Sequence, residues 1–281
     1  MKLSFKVSGT EGGMKLLYFL RDHCAGSTSV KALKRAIDGK KCRINGRIET
    51  FSTHPLNPGD IVEIDLETPA KKTTLRILFE DDELCICEKP SGVTCTPENF
   101  SALLVHRLDK ETSGVLILAK TESMRQKMTA LFADKALYKA YVAIVDGRLT
   151  KEKGTITTRL AKKHTYQGQT IYGSAAKGQL ATTNWEVLKA GKKASLLLCE
   201  PQTGRTHQIR VHLKEMGHPI LGDTQYAKKF TCPFEASRVL LHAYRVRFQH
   251  PTTGEEVDVS NAPPEDFLLA LEELDILFEN F

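Results

Sequence analysis

The amino-acid sequence predicts an α+β fold, in which a mixed, largely antiparallel sheet with peripheral helices forms a large domain behind a small N-terminal α/β domain. After residue 73, short apolar strands and amphipathic helices follow one another without strict βαβ alternation. Before residue 70 the pattern is different, with two short helices ahead of a hairpin. Because 281 residues suffice for two domains, we expect one at 1–70 and one at 73–281, with the segment TPAKKTT as linker.

The N-terminal block combines helical and hairpin signals. Apolar residues recur at helical spacing over 14–23 and 30–37, and the alternating segment 61–66 predicts a strand. Asn45-Gly46 in the segment CRING is a strong hairpin signal.

The second block is rich in strands. Thr121 is the expected N-cap of a helix over 121–133, and Gly217 closes a helix over 206–216. Apolar residues at helical spacing predict a further helix over 265–279. Short apolar or alternating runs predict strands at 75–79, 84–87, 115–119, 138–145, 183–188 and 195–199.

The charge is unevenly distributed. The chain carries +6 overall, yet residues 265–281 contain six acids and no Lys or Arg. Residues 31–47 contain seven basic residues against Asp38 alone. A basic segment opposed by an acidic tail favours a polyanionic partner, most simply nucleic acid, although such charge runs also form ordinary solvated faces.

Several classes of protein lose support. The sequence has no apolar run of the roughly 18–20 residues that a membrane helix needs, and the N-terminus MKLSFKVSGT lacks the apolar core of a signal peptide. Seven cysteines without a CxxC pair fit a reducing cytoplasm. Nucleotide-binding loops are missing, so we expect no cofactor. His207 and His212 lie five residues apart rather than four, so we expect no metal either.

The helix in TGRTHQIRVHLKEMG has two faces. At 100° per residue, His207, Arg210 and Lys214 share one side, and apolar residues occupy the other. The helix would therefore present cations near its N-terminus, where backbone N–H groups also favour anions. The alternative is a solvated basic face.

Asp109 lies between Arg107 and Lys110, in a turn that leads into the apolar segment 115–119. Asp is common in turns, so this placement alone is ordinary turn chemistry. The surrounding segment, HRLDKETSGVLILAK, resembles the signature of the RluA-type pseudouridine synthases. Further motifs follow the same order as in that family: EKPSGV at 88–93, YKAYVAIVDG at 138–147, PQTGRTHQIRVHL at 201–213, GHPILGD at 217–223 and LLHAYRVRFQHP at 240–251.

The resemblance implies an RNA pseudouridine synthase with Asp109 as its catalytic carboxylate. Arg210 then pairs with Asp109 and favours its ionised form. Tyr141 matches the tyrosine that stacks on the target base and shuttles its proton. Arg107 matches the residue that fills the space of the flipped-out base. His106, Arg205 and His207 bind phosphate or orient the site.

The N-terminal block is similar to the alpha-L RNA-binding domain, through AIDGKKCRINGRI and LNPGDIVEI. The resemblance implies RNA contacts from a set of basic residues in this block: Lys31, Lys34, Arg35, Lys41 and Arg43. We therefore expect a monomer whose partner is RNA, with large-subunit ribosomal RNA favoured over transfer RNA.

Two other interpretations remain open. A non-catalytic RNA-binding or ribosome-assembly factor could retain the same fold. A glycosidase-like hydrolase could use Asp109, although such enzymes usually need two carboxylates around the bond, and Glu111 is the only near partner in sequence.

Overall fold

The computed structural model describes residues 2–25, 28–66, 75–100, 102–166 and 169–278, without the side chains of Lys31 and Tyr166. The chain divides into two compact units, Met1–Lys71 and Lys72–Phe281. The predicted linker TPAKKTT lies outside the described residues.

The N-terminal unit packs two helices against a small antiparallel sheet. Its elements are β1 (Lys2–Lys6), α1 (Leu16–His23), α2 (Val30–Asp38), β2 (Cys42–Ile44), β3 (Arg47–Ile48) and β4 (Ile61–Asp65), with the strands in the order β1-β4-β2-β3. Asn45 and Gly46 both have positive φ, 51° and 77°, as a type I′ turn between β2 and β3 requires. Phe19, Ile37 and Val62 are fully buried in the core.

The second unit is built on one large sheet. Its strands are β5 (Arg76–Glu80), β6 (Leu84–Lys89), β7 (Leu103–Leu104), β8 (Ser113–Ala119), β9 (Tyr138–Asp146), β10 (Lys153–Tyr166), β11 (Gln169–Ser174), β12 (Gln179–Ala190), β13 (Ala194–Pro201), β14 (Leu241–Gln249) and β15 (Glu256–Ser260). The helices are α3 (Glu122–Ala133), α4 (Gln208–Glu215) and α5 (Glu265–Glu273).

The strands follow the order β11-β10-β12-β13-β9-β14-β8-β6-β5, with β15 beside β14 and β7 beside β8. Among the described residues, β14 and β8 form the one parallel pair, and the other neighbours are antiparallel. The predicted α+β class with a mixed, largely antiparallel sheet is confirmed.

Local signals set several helix ends. Thr121 caps α3, since its side chain accepts a hydrogen bond from Met124 N at 3.1 Å. The predicted helix over 265–279 is wrong beyond residue 273. Asp275 adopts a left-handed φ of 54°, and Ile276 N donates to Leu271 O, which is a Schellman ending that stops the helix. Ile276 is fully buried after this turn, so the apolar repeat continues outside the helix.

Gly114 allows β8 to lie against β14. Its φ is +112°, and a Cβ built on it would lie 2.2 Å from the carbonyl oxygen of Ala243. These two residues are also partners in the parallel pairing of the two strands. A side chain at position 114 would therefore push apart the strands on either side of the parallel junction.

We expect Gly114→Ala to lower the free energy of unfolding by about 3 kcal/mol or more, because overpacking and backbone strain add. Urea unfolding followed by the fluorescence of Trp185, the single tryptophan, reports on this unit. Gly204→Ala is the control, because a Cβ there meets nothing within 4 Å. Equal stability of the two variants would contradict this account.

Candidate active site

A cavity of about 820 Å³ opens in the second unit, within the roughly 300–1,000 Å³ typical of small-molecule sites. Its walls include the turn at 104–112 before β8, the end of α3 up to Lys135, part of β9, and the segment 201–210 that leads from β13 into α4. Six cationic side chains line it: Arg107, Lys110, Lys135, Lys139, Arg205 and Arg210. Asp109 is the only carboxylate among the described residues of the lining.

A buried lysine, Lys89, holds the turn that carries Asp109 by hydrogen bonds. The Lys89 side chain is fully buried, and its ammonium donates to the carbonyls of Pro90, Val93 and Lys110 at 2.9, 2.9 and 3.1 Å. Burial lowers the pKa of Lys89 to about 8. Lys110 directly follows Asp109, so this buried ammonium fixes the backbone beside the carboxylate.

Arg210 on α4 joins two carboxylates. Its guanidinium makes two 2.8 Å bonds to Asp223, a 2.7 Å bond to the Gln225 side chain, and a 3.4 Å contact with Asp109. The side chain of Arg210 is only 6% exposed, and that of Asp223 is 1% exposed. Burial disfavours the charge on Arg210, but hydrogen bonding and attraction from Asp223, with a contribution from Asp109, outweigh it and raise its pKa. The expected proximity of Arg210 and Asp109 is present, with Asp223 as the tighter partner.

Residues 208–213 of α4 are all buried; of the three cations predicted on one face, His207 and Arg210 line the cavity and only Lys214 is exposed. His212 points inward and contacts the hydroxyls of Thr158 and Thr183 at 3.1 and 2.9 Å. The 3.6-residue period identified a helix, but strands packed around it bury both of its sides.

His207 precedes α4 in a left-handed conformation, with φ 56°. Its Nδ1 lies 2.7 Å from the Tyr226 hydroxyl, and its Nε2 lies 3.9 Å from Asp109. Burial lowers the pKa of His207 against the opposing attraction of Asp109. The imidazole is thus a neutral neighbour of the carboxylate.

Tyr141, Arg107 and Arg205 also line the cavity. Burial, reinforced by the charge of Asp109, raises the pKa of Tyr141 well above its ordinary value. Arg107 and Arg205 are exposed, and Arg205 Nε donates to Leu180 O at 3.2 Å.

His106 is held within the fold. Its Nε2 accepts a hydrogen bond from Ile117 N at 3.0 Å, and its ring stacks on Phe132 with centroids 4.8 Å apart. Burial lowers its pKa to about 3. Because a neutral ring with one nitrogen already occupied is a weak phosphate ligand, these contacts favour the orienting role of the two expected for His106.

The N-terminal basic residues lie in the other unit. Lys34, Arg35, Lys41 and Arg43 are exposed on α2, β2 and the turn between them. Lys31 belongs to α2, but its side chain is not among those described.

Asp223, Gln225, Tyr226 and Lys89 were assigned no role by sequence analysis. The available signal was the motif GHPILGD, which ends at Asp223, and EKPSGV, which contains Lys89. Neither motif indicates which groups Lys89 or Asp223 contacts.

None of the helices in the described part of the chain is long and apolar enough to cross a membrane. In the same part of the chain, no group of three or more His, Cys, Asp or Glu side chains could hold a metal ion.

Comparison with known proteins agrees with this geometry. Residues 83–215 match the family model described as RNA pseudouridylate synthase. The chain is 33% identical over 254 residues to the ribosomal large subunit pseudouridine synthase D of Zymomonas mobilis subsp. mobilis, covering 78% of this chain and 80% of that protein. It is 30% identical to the ribosomal large subunit pseudouridine synthase C of Escherichia coli O157:H7, over 93% of both chains.

Among solved structures, human RNA pseudouridylate synthase domain containing 4 superposes with a TM-score of 0.61 at 26% identity, covering 73% of this chain and 95% of that one. The family model and these relatives define the class of this protein, an isomerase that acts on RNA. The chain belongs to the RluA-type family of RNA pseudouridine synthases.

We expect Arg210→Met to lower the free energy of unfolding by about 3–5 kcal/mol, because it leaves the buried carboxylate of Asp223 without its counter-ion. Urea unfolding followed by Trp185 measures this. Arg245→Met is the matched control, since its ion pair with Asp258 is partly exposed, at 42% and 28% of the two side chains, and should cost less than about 1 kcal/mol. A loss for Arg210→Met no larger than that of the control would refute the central position of this pair.

Proposed function

We propose that this enzyme converts uridine to pseudouridine in large-subunit ribosomal RNA, with Asp109 as the catalytic carboxylate acting on a flipped-out base. The observation that supports this proposal most strongly is the position of Asp109, which among the described lining residues is the lone carboxylate beside six cations. A polyanionic substrate neutralises those cations, and the carboxylate is the one anionic nucleophile that they surround.

The chemistry suits a single carboxylate. Isomerisation breaks the bond from N1 to C1′, turns the base, joins C5 to C1′ and releases the proton from C5, so no redox partner or added atom enters. A carboxylate can add to an electrophilic carbon, either C6 of the base or C1′ of the ribose, and leave again. Asp109 must be ionised for this, and the Arg210 guanidinium donates to it at 3.4 Å.

Asp223 supports this chemistry indirectly. It holds Arg210 with two 2.8 Å bonds, so the guanidinium stays in place before RNA binds. Such preorganisation avoids reorienting the cation during the reaction. We assign Asp223 as a positioning residue for Arg210 and, through it, for Asp109.

Tyr141 and Arg107 fit the handling of the base. A nucleotide in folded RNA must leave its stack to reach Asp109. Because its raised pKa keeps the Tyr141 phenol protonated, we propose stacking on the base rather than proton abstraction as its role. Arg107 is exposed at the cavity and can enter the space that the base vacates.

Ribosomal RNA is the favoured substrate because the relatives in Zymomonas mobilis and Escherichia coli carry that substrate in their names. The basic N-terminal unit is suited to a large RNA. We further propose that the enzyme acts as a monomer in the cytoplasm, in accord with its seven unpaired, buried cysteines.

A two-carboxylate hydrolase is less well supported. Glu111 is the near carboxylate in sequence, yet it is absent from the described lining of the cavity. Hydrolases of that type need both carboxylates beside the bond that breaks.

The test of the reaction is release of tritium from RNA labelled at uridine C5, with ribosomal and transfer RNA offered separately. We expect release from ribosomal RNA, and Asp109→Asn should reduce turnover about a thousandfold or more while RNA still binds. Asp82→Asn, an exposed carboxylate outside the cavity, is the control.

Residual turnover of a tenth or more in Asp109→Asn would remove Asp109 from its role. Release from transfer RNA alone would exclude the ribosomal substrate. Tight binding of unmodified ribosomal RNA without release from either pool would favour the non-catalytic RNA-binding factor.

The N-terminal basic residues provide a separate prediction. Replacing Lys34, Arg35, Lys41 and Arg43 with Gln should weaken binding of unmodified large-subunit ribosomal RNA. It should also flatten the plot of log affinity against log salt concentration by about 2–3 units, because fewer counterions are released. Filter binding over a salt series measures both.

The control replaces four exposed lysines of the second unit that line no cavity, Lys151, Lys153, Lys192 and Lys193, and changes the net charge equally. If the slope of log affinity against log salt concentration flattens equally in both variants, the N-terminal residues contribute only net charge.

A further inference from the structure

A second, smaller cavity of about 220 Å³ adjoins the one that contains Asp109. The two cavities share Phe132, Lys135, Lys139 and Pro201 in their linings. The smaller one adds Tyr138 and the Gln202 side chain. The shared residues form a boundary where one ligand strand can pass from the larger cavity into the smaller.

Lys139 lies at this boundary and is unusual among the lysines described. It is partly buried, and burial alone lowers its pKa. The contact recorded for its ammonium is with the ring of Phe132, at 5.5 Å from the centroid. Over the described residues it has neither an ion pair nor a hydrogen bond, whereas buried Lys89 has three carbonyl acceptors.

A desolvated ammonium without an acceptor is costly. The neighbouring His106 does not relieve that cost, because burial keeps its ring neutral. An anion supplied from outside would relieve it. The exposed Lys135 at the same boundary adds a second positive charge.

The distance between the Lys139 and Tyr141 side chains indicates which anion could reach Lys139. Lys139 and Tyr141 are two residues apart on β9, so their side chains leave the same face about 7 Å apart. If a base stacks on Tyr141, the Lys139 ammonium lies where the sugar-phosphate backbone beside that base would pass. The ring of Phe132, which lines both cavities, offers apolar contact to a neighbouring base.

We propose that Lys139 binds the RNA backbone phosphate next to the target uridine and that the smaller cavity receives the nucleotide attached to it. This inference rests on the proposed function, because that function makes the base at Tyr141 the target uridine. It would give the enzyme a contact to sequence or shape beside the target, separate from the atoms that react.

Steady-state tritium release distinguishes this subsite from a role in chemistry or folding. Lys139→Met should raise KM about tenfold and change kcat by less than twofold, because a charge-assisted contact to bound RNA is lost. Lys139→Arg should restore most of the affinity, and Lys192→Met should behave as wild type. A fall in kcat at unchanged KM would overturn the proposal.

Thermal unfolding supplies a second readout. Because Lys139→Met removes an unpaired ammonium from a partly buried place, Tm should stay the same or rise. A lower Tm would show that Lys139 stabilises the fold instead.

Combining neutral linkages in the RNA with substitutions of Lys139 tests the phosphate contact by binding alone, without turnover. The probe is a fluorescein-labelled pentanucleotide with one central uridine, ApApUpApA, made with a neutral methylphosphonate at each linkage in turn. In the wild type and in Lys192→Met, one linkage beside the uridine should weaken binding about fivefold. In Lys139→Met, that neutral linkage should have no effect.

If every neutral linkage weakens Lys139→Met as much as the wild type, Lys139 contacts no phosphate and the proposal fails. The binding experiment tests the phosphate subsite, and the tritium assay tests the proposed reaction, so the two proposals can be refuted independently. Coupling between Lys139 and one linkage in an enzyme that releases no tritium would refute the proposed reaction and still support the phosphate subsite.

Discussion

The site depends on one buried cation held between two carboxylates. Arg210 is bound firmly by Asp223 through Nε and Nη2 and reaches Asp109 with Nη1. Removing a guanidinium from water is costly, and the fully buried Asp223 compensates for that cost within the fold. The pairing with Asp109 is looser at 3.4 Å, and Asp109 keeps 26% of its side chain exposed. The strong pair therefore secures the structure, and the weaker one leaves a carboxylate accessible to a ligand.

Lys89, which is buried, and Lys139, which is partly buried, differ in whether the fold satisfies their hydrogen bonds. Lys89 satisfies three carbonyls and braces the turn beneath Asp109. Lys139, at the boundary of two cavities, has a ring contact but no acceptor among the described residues. Both are desolvated, yet only one has its hydrogen bonds satisfied by the fold. Functional sites commonly retain such unsatisfied groups at a cost in stability.

The elements that follow from local rules were predictable. Thr121 caps α3, the Asn45-Gly46 turn closes the β2–β3 hairpin, and short apolar runs became β6, β8 and β13. The hairpin of β10 and β11 had no prediction, because apolar residues do not alternate regularly along these strands. The end of α5 was misplaced because Asp275 takes a left-handed conformation that helical periodicity does not reveal.

The sequence by itself determined the helix and strand signals, the motif order around Asp109 and the RluA-type resemblance, because these depend on residue type and spacing along the chain. Tertiary structure alone decided that α4 is buried on both sides and that Asp223, rather than solvent, holds Arg210. It also decided that Lys139 lacks an acceptor beside the site. The physical reason is that burial and ion pairing depend on residues far apart in sequence: Arg210 and Asp109 are 101 residues apart, and no local pattern encodes their distance.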